Sequence, residues 1–152
     1  MLLMIQKEVA MRICASPPKM TLLSVATQFY AEPKIISYVS KNSFWPRPKV
    51  DSAIIKISPI KSRITNEYSR IKNIPRGSAY DSAWFRDKFF ELVKAGFSQP
   101  RKQLVNNLSK GLSLSREKAK KILLKAELQP TQRPSELSVD KYMEIAWIIW
   151  GK

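Results

Sequence analysis

The apolar and polar positions of residues 1–60 mix strand and helix patterns. The opening run of five apolar residues predicts a strand covered on both faces within a parallel sheet. Helical spacing then predicts two helices ended by prolines, and short apolar segments on either side of a proline-rich loop predict two more strands. The predicted strands are Met1–Ile5, Lys34–Val39 and Val50–Ile57, the helices are Lys7–Ala15 and Thr21–Ala31, and the loop is Ser40–Lys49. Residues 1–60 are therefore predicted to be α/β.

Residues 81–152 have helical spacing throughout and are predicted to form a small helical domain. Residues 61–80 carry five basic side chains and a single acid, Glu67, and are interpreted as a linker. Four helices are predicted. The first is capped by Ser82 and ends near Phe97, and the second begins at Pro100 and ends at Gly111. Ser115 caps the third and Ser138 caps the fourth, whose final apolar run, Ala146–Trp150, is predicted to lie in the core or in an interface.

The predicted sheet is too small for its first strand. A strand covered on both faces needs neighbours on both edges, whereas residues 1–60 supply three predicted strands and two helices. Two explanations fit this mismatch. Either the chain oligomerises through the free edge, or the sequence is the carboxyl-terminal piece of a longer protein.

Composition removes many kinds of catalysis. The chain has no histidine and one cysteine, Cys14, which excludes Ser-His-Asp and Cys-His catalysis, histidine-ligated zinc and an internal disulfide, so no metal is predicted. The four glycines are too far apart for a dinucleotide or phosphate-binding loop. Glu8 and Asp51 are the best-placed acids, and each is equally well explained as a structural ion-pair partner.

Charge indicates the partner. The chain has 27 Lys and Arg against 12 Asp and Glu, a net charge of +15, which favours nucleic acid over an anionic membrane surface. The apolar amino end is shorter than a signal sequence, and no stretch is long enough to span a bilayer. Together with the lone cysteine, these features predict a cytoplasmic protein without a membrane partner.

The densest candidate site is the loop between the second and third predicted strands. Phe44 and Trp45 offer faces for base stacking, and Arg47 and Lys49 lie where they could hold phosphate. The alternative is a rigid hairpin in which Phe44 or Trp45 fills the core.

A second candidate is the segment from Phe97 to Leu108. Arg101 and Lys102 beside a helix amino end suit a phosphate, and Asn106 and Asn107 could donate hydrogen bonds to RNA. The alternative is a helical hairpin with a solvated basic end. The lysines of the third helix are interpreted as a solvated face, with an RNA surface as the alternative. They are Lys118, Lys120, Lys121 and Lys125.

Four blocks in this order resemble the second half of the ribosomal RNA adenine dimethyltransferases, and the small-subunit branch in particular. The blocks are Gln6–Ala10 with Arg12, Leu23–Val25, the Phe44-x-Pro46-x-Pro48-Lys49-Val50-Asp51-Ser52-Ala53 motif, and Phe97-x-x-x-Arg101-Lys102-x-Leu104-x-Asn106-Asn107-Leu108. The resemblance covers nearly all of the chain outside the basic linker.

The resemblance implies an S-adenosylmethionine-dependent enzyme of ribosome biogenesis that dimethylates two adjacent adenines near the 3′ end of small-subunit rRNA, in the pre-30S particle. Residues 1–60 would be the last strands of a Rossmann-like methyltransferase sheet. The family's glycine-rich cofactor loop, acidic ribose contact and Asn-Leu-Pro-Tyr motif would lie upstream, so this chain alone is expected to bind no cofactor and to be inactive. Phe44 would be the catalytic residue that stacks on the target adenine, and Trp45 would be a packing residue that holds the loop.

Two other functions remain open at this point. One is a relative that methylates large-subunit rRNA and confers antibiotic resistance, against which the block from Arg101 to Leu108 argues. The other is a non-enzymatic basic module that binds RNA or DNA. An upstream reading frame with a glycine-rich loop would distinguish an enzyme from a module.

Overall fold

A computed structural model describes residues 1–60 and 83–151. Over these residues, the strands all lie in the first part, and the regular elements of the second part are helices. In chain order the elements are β1 (Leu2–Gln6), α1 (Lys7–Ile13), α2 (Leu22–Tyr30), β2 (Ala31–Val39), β3 (Ser52–Pro59), α3 (Ala83–Gly96), α4 (Leu104–Gly111), α5 (Arg116–Lys125) and α6 (Val139–Trp150), with short 3-10 turns at Lys41–Ser43 and Pro134–Glu136. The predicted linker, residues 61–80, and the predicted cap Ser82 lie outside the described residues.

The sheet has the strand order β1-β3-β2, and both of its strand pairs are antiparallel. The prediction that β1 lies in a parallel sheet is therefore wrong for the part of the chain that the structure describes. β2 and β3 form a hairpin, and β3 runs back between β2 and β1, with Leu2 opposite Lys56 and Gln6 opposite Ser52. An apolar run reports burial, and it carries no information on the direction of the neighbouring strand.

The two faces of the sheet differ. Helix α1 covers one face, where Ala10 packs with the buried Ala53 and Ile55. On the other face, Leu2 is 66% exposed and Met4 is 55% exposed. Over the described ranges, β1 pairs only with β3, which leaves its outer edge open. Within the described residues, β1 is covered on one face only, so the prediction that both of its faces are covered is not confirmed.

The helices of the second part pack around one large apolar core. The predicted caps are confirmed at Ser115, whose hydroxyl accepts from the Lys118 N–H, and at Ser138, whose hydroxyl accepts from the Lys141 N–H. Tyr142 lies fully buried in this core and donates from its hydroxyl to the Pro134 carbonyl over 2.9 Å. Burial raises the pKa of Tyr142 well above its ordinary value, so the phenol stays protonated as a hydrogen-bond donor. The carboxyl end of α6 packs partly buried against the same core, as predicted.

Helix α2 belongs to this core although it lies in the first part of the chain. Its buried Val25 and Phe29 join the core of the carboxyl-terminal helices. The rings of Phe29 and Phe89 stack with centroids 4.3 Å apart. Apolar packing therefore connects the two sides of the predicted linker, and it orients the sheet relative to the helical part.

Candidate nucleic-acid interface

The predicted stacking loop connects β2 to β3 and follows the short 3-10 turn Lys41–Ser43. Phe44 is half-buried, and it belongs to neither of the two apolar clusters formed by the described residues. Trp45 is 97% exposed, so the prediction that Trp45 is a packing residue that holds the loop is wrong. Arg47 and Lys49 are both exposed on the same loop.

Asp51 holds this loop against the start of α1. Its backbone carbonyl accepts the Lys7 N–H over 3.0 Å, and its Oδ1 accepts the Lys41 N–H over 3.1 Å. Its Oδ2 lies 3.9 Å from the Lys7 Nζ, which also sits 5.2 Å from the centre of the Tyr38 ring. Of the two roles of Asp51 that the sequence left open, these contacts support the structural ion-pair partner.

A pocket of about 410 Å³ lies between the start of α1 and the loop, at the carboxyl end of β1. Its walls carry three lysine ammonium groups and two carboxylates, which suits a ligand with both negative charge and hydrogen-bond donors. The lining residues are Gln6, Lys7, Glu8, Met11, Lys41, Lys49, Val50 and Asp51. The pocket therefore lies beside the loop that carries Phe44.

The second candidate segment is a turn between α3 and α4. The prediction that Pro100 opens a helix is wrong, because α4 begins at Leu104 with Gln103 in the capping position. Residues 98–103 instead form the turn, which presents Arg101 and Lys102 to solvent. Asn106 is likewise exposed, on the outer side of α4.

Asn107 differs from the other predicted RNA contacts. Its side chain is 3% exposed, and its amide nitrogen donates to the Gly96 carbonyl and, over 2.9 Å, to the Gln99 carbonyl. The prediction of an RNA contact by Asn107 is therefore corrected, since its amide is occupied in fixing the turn that carries Arg101. The sequence did hold one sign that Asn107 is buried. It follows the apolar Leu104 by three positions, which places both residues on the same face of the helix.

Arg133 was missed by the sequence reasoning. The Leu104 N–H donates to the Gln132 carbonyl over 2.8 Å, which brings the loop before the Pro134–Glu136 turn alongside the start of α4. Arg133 is exposed on that loop. No local sequence signal connects it to Arg101, because the two residues lie far apart along the chain and it is the Leu104–Gln132 hydrogen bond that joins their segments.

A sequence model of the family described as ribosomal RNA adenine dimethylase matches residues 1–147. The chain belongs to this family. The loop that carries Phe44, the contacts of Asp51 and the turn that carries Arg101 are thus features of a dimethylase-family chain.

Relatives of this dimethylase-family chain carry a consistent name. The chain is 34% identical over 142 residues to the ribosomal RNA small subunit methyltransferase A of Dehalococcoides mccartyi, covering 93% of this chain and 43% of the relative. It is 36% identical over 152 residues to the protein of the same name from Fusobacterium nucleatum, covering 99% of this chain and 51% of the relative. The chain therefore spans about half the length of the curated relatives it matches.

Solved structures share the fold. A dimethyladenosine transferase from Plasmodium falciparum superposes with a TM-score of 0.63 at 20% identity, covering 95% of this chain and 54% of that one. The 23S rRNA methyltransferase ErmE superposes with a TM-score of 0.62 at 16% identity, covering 97% of this chain and 53% of that one. Both likenesses concern the fold of the dimethylase-family chain.

Helix α5 also presents basic side chains. Its four predicted lysines are exposed, which fits both a solvated lysine face and the alternative of an RNA surface. Within residues 1–60 and 83–151, no group of three or more metal-ligating side chains is found. In the same ranges, no helix has the length and apolar character needed to cross a bilayer.

Proposed function

We propose that this chain is the RNA-binding, carboxyl-terminal part of an S-adenosylmethionine-dependent rRNA adenine N6,N6-dimethyltransferase that acts on small-subunit rRNA in the pre-30S particle. The match of the family to residues 1–147 carries the proposal, and the relatives named small subunit methyltransferase A support the choice of substrate. The protein acts in the cytoplasm, where ribosomes are assembled.

The uncovered face and open edge of β1 support an arrangement in which a cofactor-binding half completes the sheet. In that arrangement, residues 1–60 are the last strands of a Rossmann-like methyltransferase domain, residues 61–80 are a basic linker and residues 81–152 are the helical RNA-binding domain. Burial of Leu2 and Met4, now 66% and 55% exposed, would stabilise the junction by about 25 cal/mol for each Å² of apolar surface removed from water.

The residues present do not fit the cofactor on their own. The glycines at 77, 96, 111 and 151 form no glycine-rich loop. We therefore assign no residue of this chain to S-adenosylmethionine, which would supply the methyl group from the other half of the enzyme. The contribution of this chain is to bind RNA and to orient the adenine, since a clamped exocyclic amine needs no strong general base.

Two exposed surfaces are proposed to hold the RNA. The loop beside the 410 Å³ pocket supplies Phe44 for stacking, with Arg47 and Lys49 for phosphate. The turn before α4 supplies Arg101 and Lys102, with Asn106 beside them and Arg133 on the adjoining loop.

A chimera tests the proposed function. Residues 1–152 would replace the matching half of the Fusobacterium nucleatum relative, to which they are 36% identical. We expect the chimera to form N6,N6-dimethyladenine in unmethylated small-subunit particles, detected by mass spectrometry of the digested rRNA. Methylation confined to large-subunit rRNA would favour the antibiotic-resistance type. A folded chimera that binds RNA but transfers no methyl group would support the non-enzymatic module.

The isolated chain is expected to show no specific micromolar binding of S-adenosylmethionine in calorimetry. The physical reason is that the adenosyl group needs a close backbone approach and a ribose-binding acid, which we place in the other half of the enzyme. The Fusobacterium nucleatum chimera is the positive control. Stoichiometric micromolar binding by residues 1–152 would contradict the assignment of the cofactor to that other half.

RNA binding is expected to weaken steeply with salt, and four basic residues should carry much of the slope. Replacing Arg47, Lys49, Arg101 and Lys102 by glutamine should reduce the slope of log K against log salt by about 0.7 to 0.9 for each phosphate that is no longer neutralised. The matched control replaces the four exposed lysines of α5, Lys118, Lys120, Lys121 and Lys125. A larger reduction of the slope in the control would move the RNA surface to α5.

A further inference from the structure

Asp51 is placed to decide where the aromatic loop lies. Its Oδ1 accepts a hydrogen bond from the backbone N–H of Lys41, ten positions earlier in the chain. This one carboxylate therefore connects the two ends of the loop that contains Phe44. Its carbonyl accepts the Lys7 N–H, and its Oδ2 pairs with the Lys7 side chain, at the start of α1. One residue therefore joins the two ends of the loop and also attaches the loop to the start of α1.

We propose that Asp51 is a positioning residue that holds the Phe44 loop over the carboxyl end of β1, in the orientation that stacks on the target adenine. This proposal rests on the proposed function for its RNA-binding half. Asp51 does not touch the base. It acts by keeping the loop closed, which lowers the entropy that Phe44 would otherwise lose when the RNA binds.

The two kinds of contact made by Asp51 contribute unequally. The Lys7 pair spans 3.9 Å between side chains that are 44% and 41% exposed, so its Coulomb attraction is screened by water. The hydrogen bond from the Lys41 N–H to Oδ1 spans 3.1 Å and is partly buried, so water competes with it less. Loop closure therefore depends mainly on an oxygen acceptor at this position, and less on its charge.

This ranking can be tested with three variants. Asp51→Ala removes the acceptor and the charge, whereas Asp51→Asn keeps an oxygen acceptor and removes only the charge. Lys41→Ala is the matched control for the loop, because Lys41 contributes its backbone N–H and not its side chain to the bond. Unfolding midpoints of all variants verify that each one is folded.

The first measurement is the hydrogen exchange of the Lys41 amide in the isolated chain, followed by NMR and corrected for intrinsic rates. We expect Asp51→Ala to accelerate exchange about tenfold or more, as the removal of a hydrogen bond to a charged acceptor implies. Asp51→Asn should restore most of the protection, and Lys41→Ala should leave it unchanged. Unchanged exchange in Asp51→Ala would overturn the proposal, whatever the RNA data show.

The second measurement is the affinity for an RNA hairpin carrying two adjacent adenines, in a cycle of Asp51→Ala, Phe44→Ala and the double variant. If Asp51 acts through Phe44, the double variant should bind no more than about twofold more weakly than Phe44→Ala alone. The positioning role would be overturned if the loss of RNA affinity in the double variant equalled the product of the losses in the two single variants. If Phe44→Ala leaves affinity unchanged, the proposed stacking fails, and the Lys41 exchange by itself decides whether Asp51 closes the loop.

Discussion

Phe44→Ala is expected to lower kcat/KM for adenine methylation by about tenfold to more than a hundredfold in the Fusobacterium nucleatum chimera. The reason is the loss of a base-stacking contribution of about 1 to 3 kcal/mol, which would act on the bound adenine. Stability should change little, because Phe44 is half-buried and lies outside both apolar clusters of the described residues.

The competing role for Phe44 is that of a core residue, and it predicts the opposite result. Removing a core phenylalanine would cost about 3 to 5 kcal/mol of stability, with normal turnover in the folded fraction. Unfolding midpoint and methyl transfer measured on one preparation separate the two roles. Trp45→Ala is the neighbouring control, and its stability should stay within about 0.5 kcal/mol of the wild type because the ring is 97% exposed. A strongly destabilised but fully active Phe44→Ala variant would remove Phe44 from the site.

Asn107→Ala is expected to destabilise the folded chain by about 1 to 3 kcal/mol, as measured by denaturant unfolding. The substitution leaves the buried Gly96 carbonyl without the amide that now donates to it, and an unsatisfied buried group costs about 1 to 3 kcal/mol. The Gln99 carbonyl also loses this amide but still accepts the Lys102 N–H over 3.0 Å. Because that amide fixes the turn before α4, the presentation of Arg101 and Lys102 should also loosen.

Asn106→Ala is the matched control for Asn107→Ala. The two residues are adjacent, yet Asn106 is exposed, so its truncation should change stability by no more than about 0.5 kcal/mol. RNA affinity should fall for Asn106→Ala if its amide contacts RNA. The structural role of Asn107 would be contradicted if Asn107→Ala kept full stability while losing RNA affinity.

Local signals predicted the helices and their ends well. Ser115 and Ser138 were identified from the sequence because N-capping depends on side chains within one turn of the helix. The end of α4 at Gly111 was also predicted, because glycine is common where helices end.

The prediction that a helix begins at Pro100 also rested on a local signal, and it was wrong. Proline fits a first helical position by its backbone angle. Here, however, the Asn107 amide donates to the Gln99 carbonyl and the Leu104 N–H donates to the Gln132 carbonyl. These contacts stabilise a turn, and the helix begins only at Leu104.

The candidate site was predictable in composition and only partly in geometry. The aromatic and basic residues of the Phe44 loop could be recognised because they are neighbours in sequence. Whether a given residue lies inside or outside could not, as the exposed Trp45 and the buried Asn107 demonstrate. That choice depends on which helix face or loop side meets the rest of the fold.

The sequence by itself determined the order of helices and strands, the strongly basic surface and the blocks by which the family is recognised, because each of these is written in the identities and spacing of neighbouring residues. Only the tertiary structure decided the antiparallel insertion of β3 beside β1, the packing of α2 into the carboxyl-terminal core and the meeting of Asp51 with Lys7. These features join segments that lie far apart along the chain. Their energies depend on the packing of the whole fold, which no local pattern records.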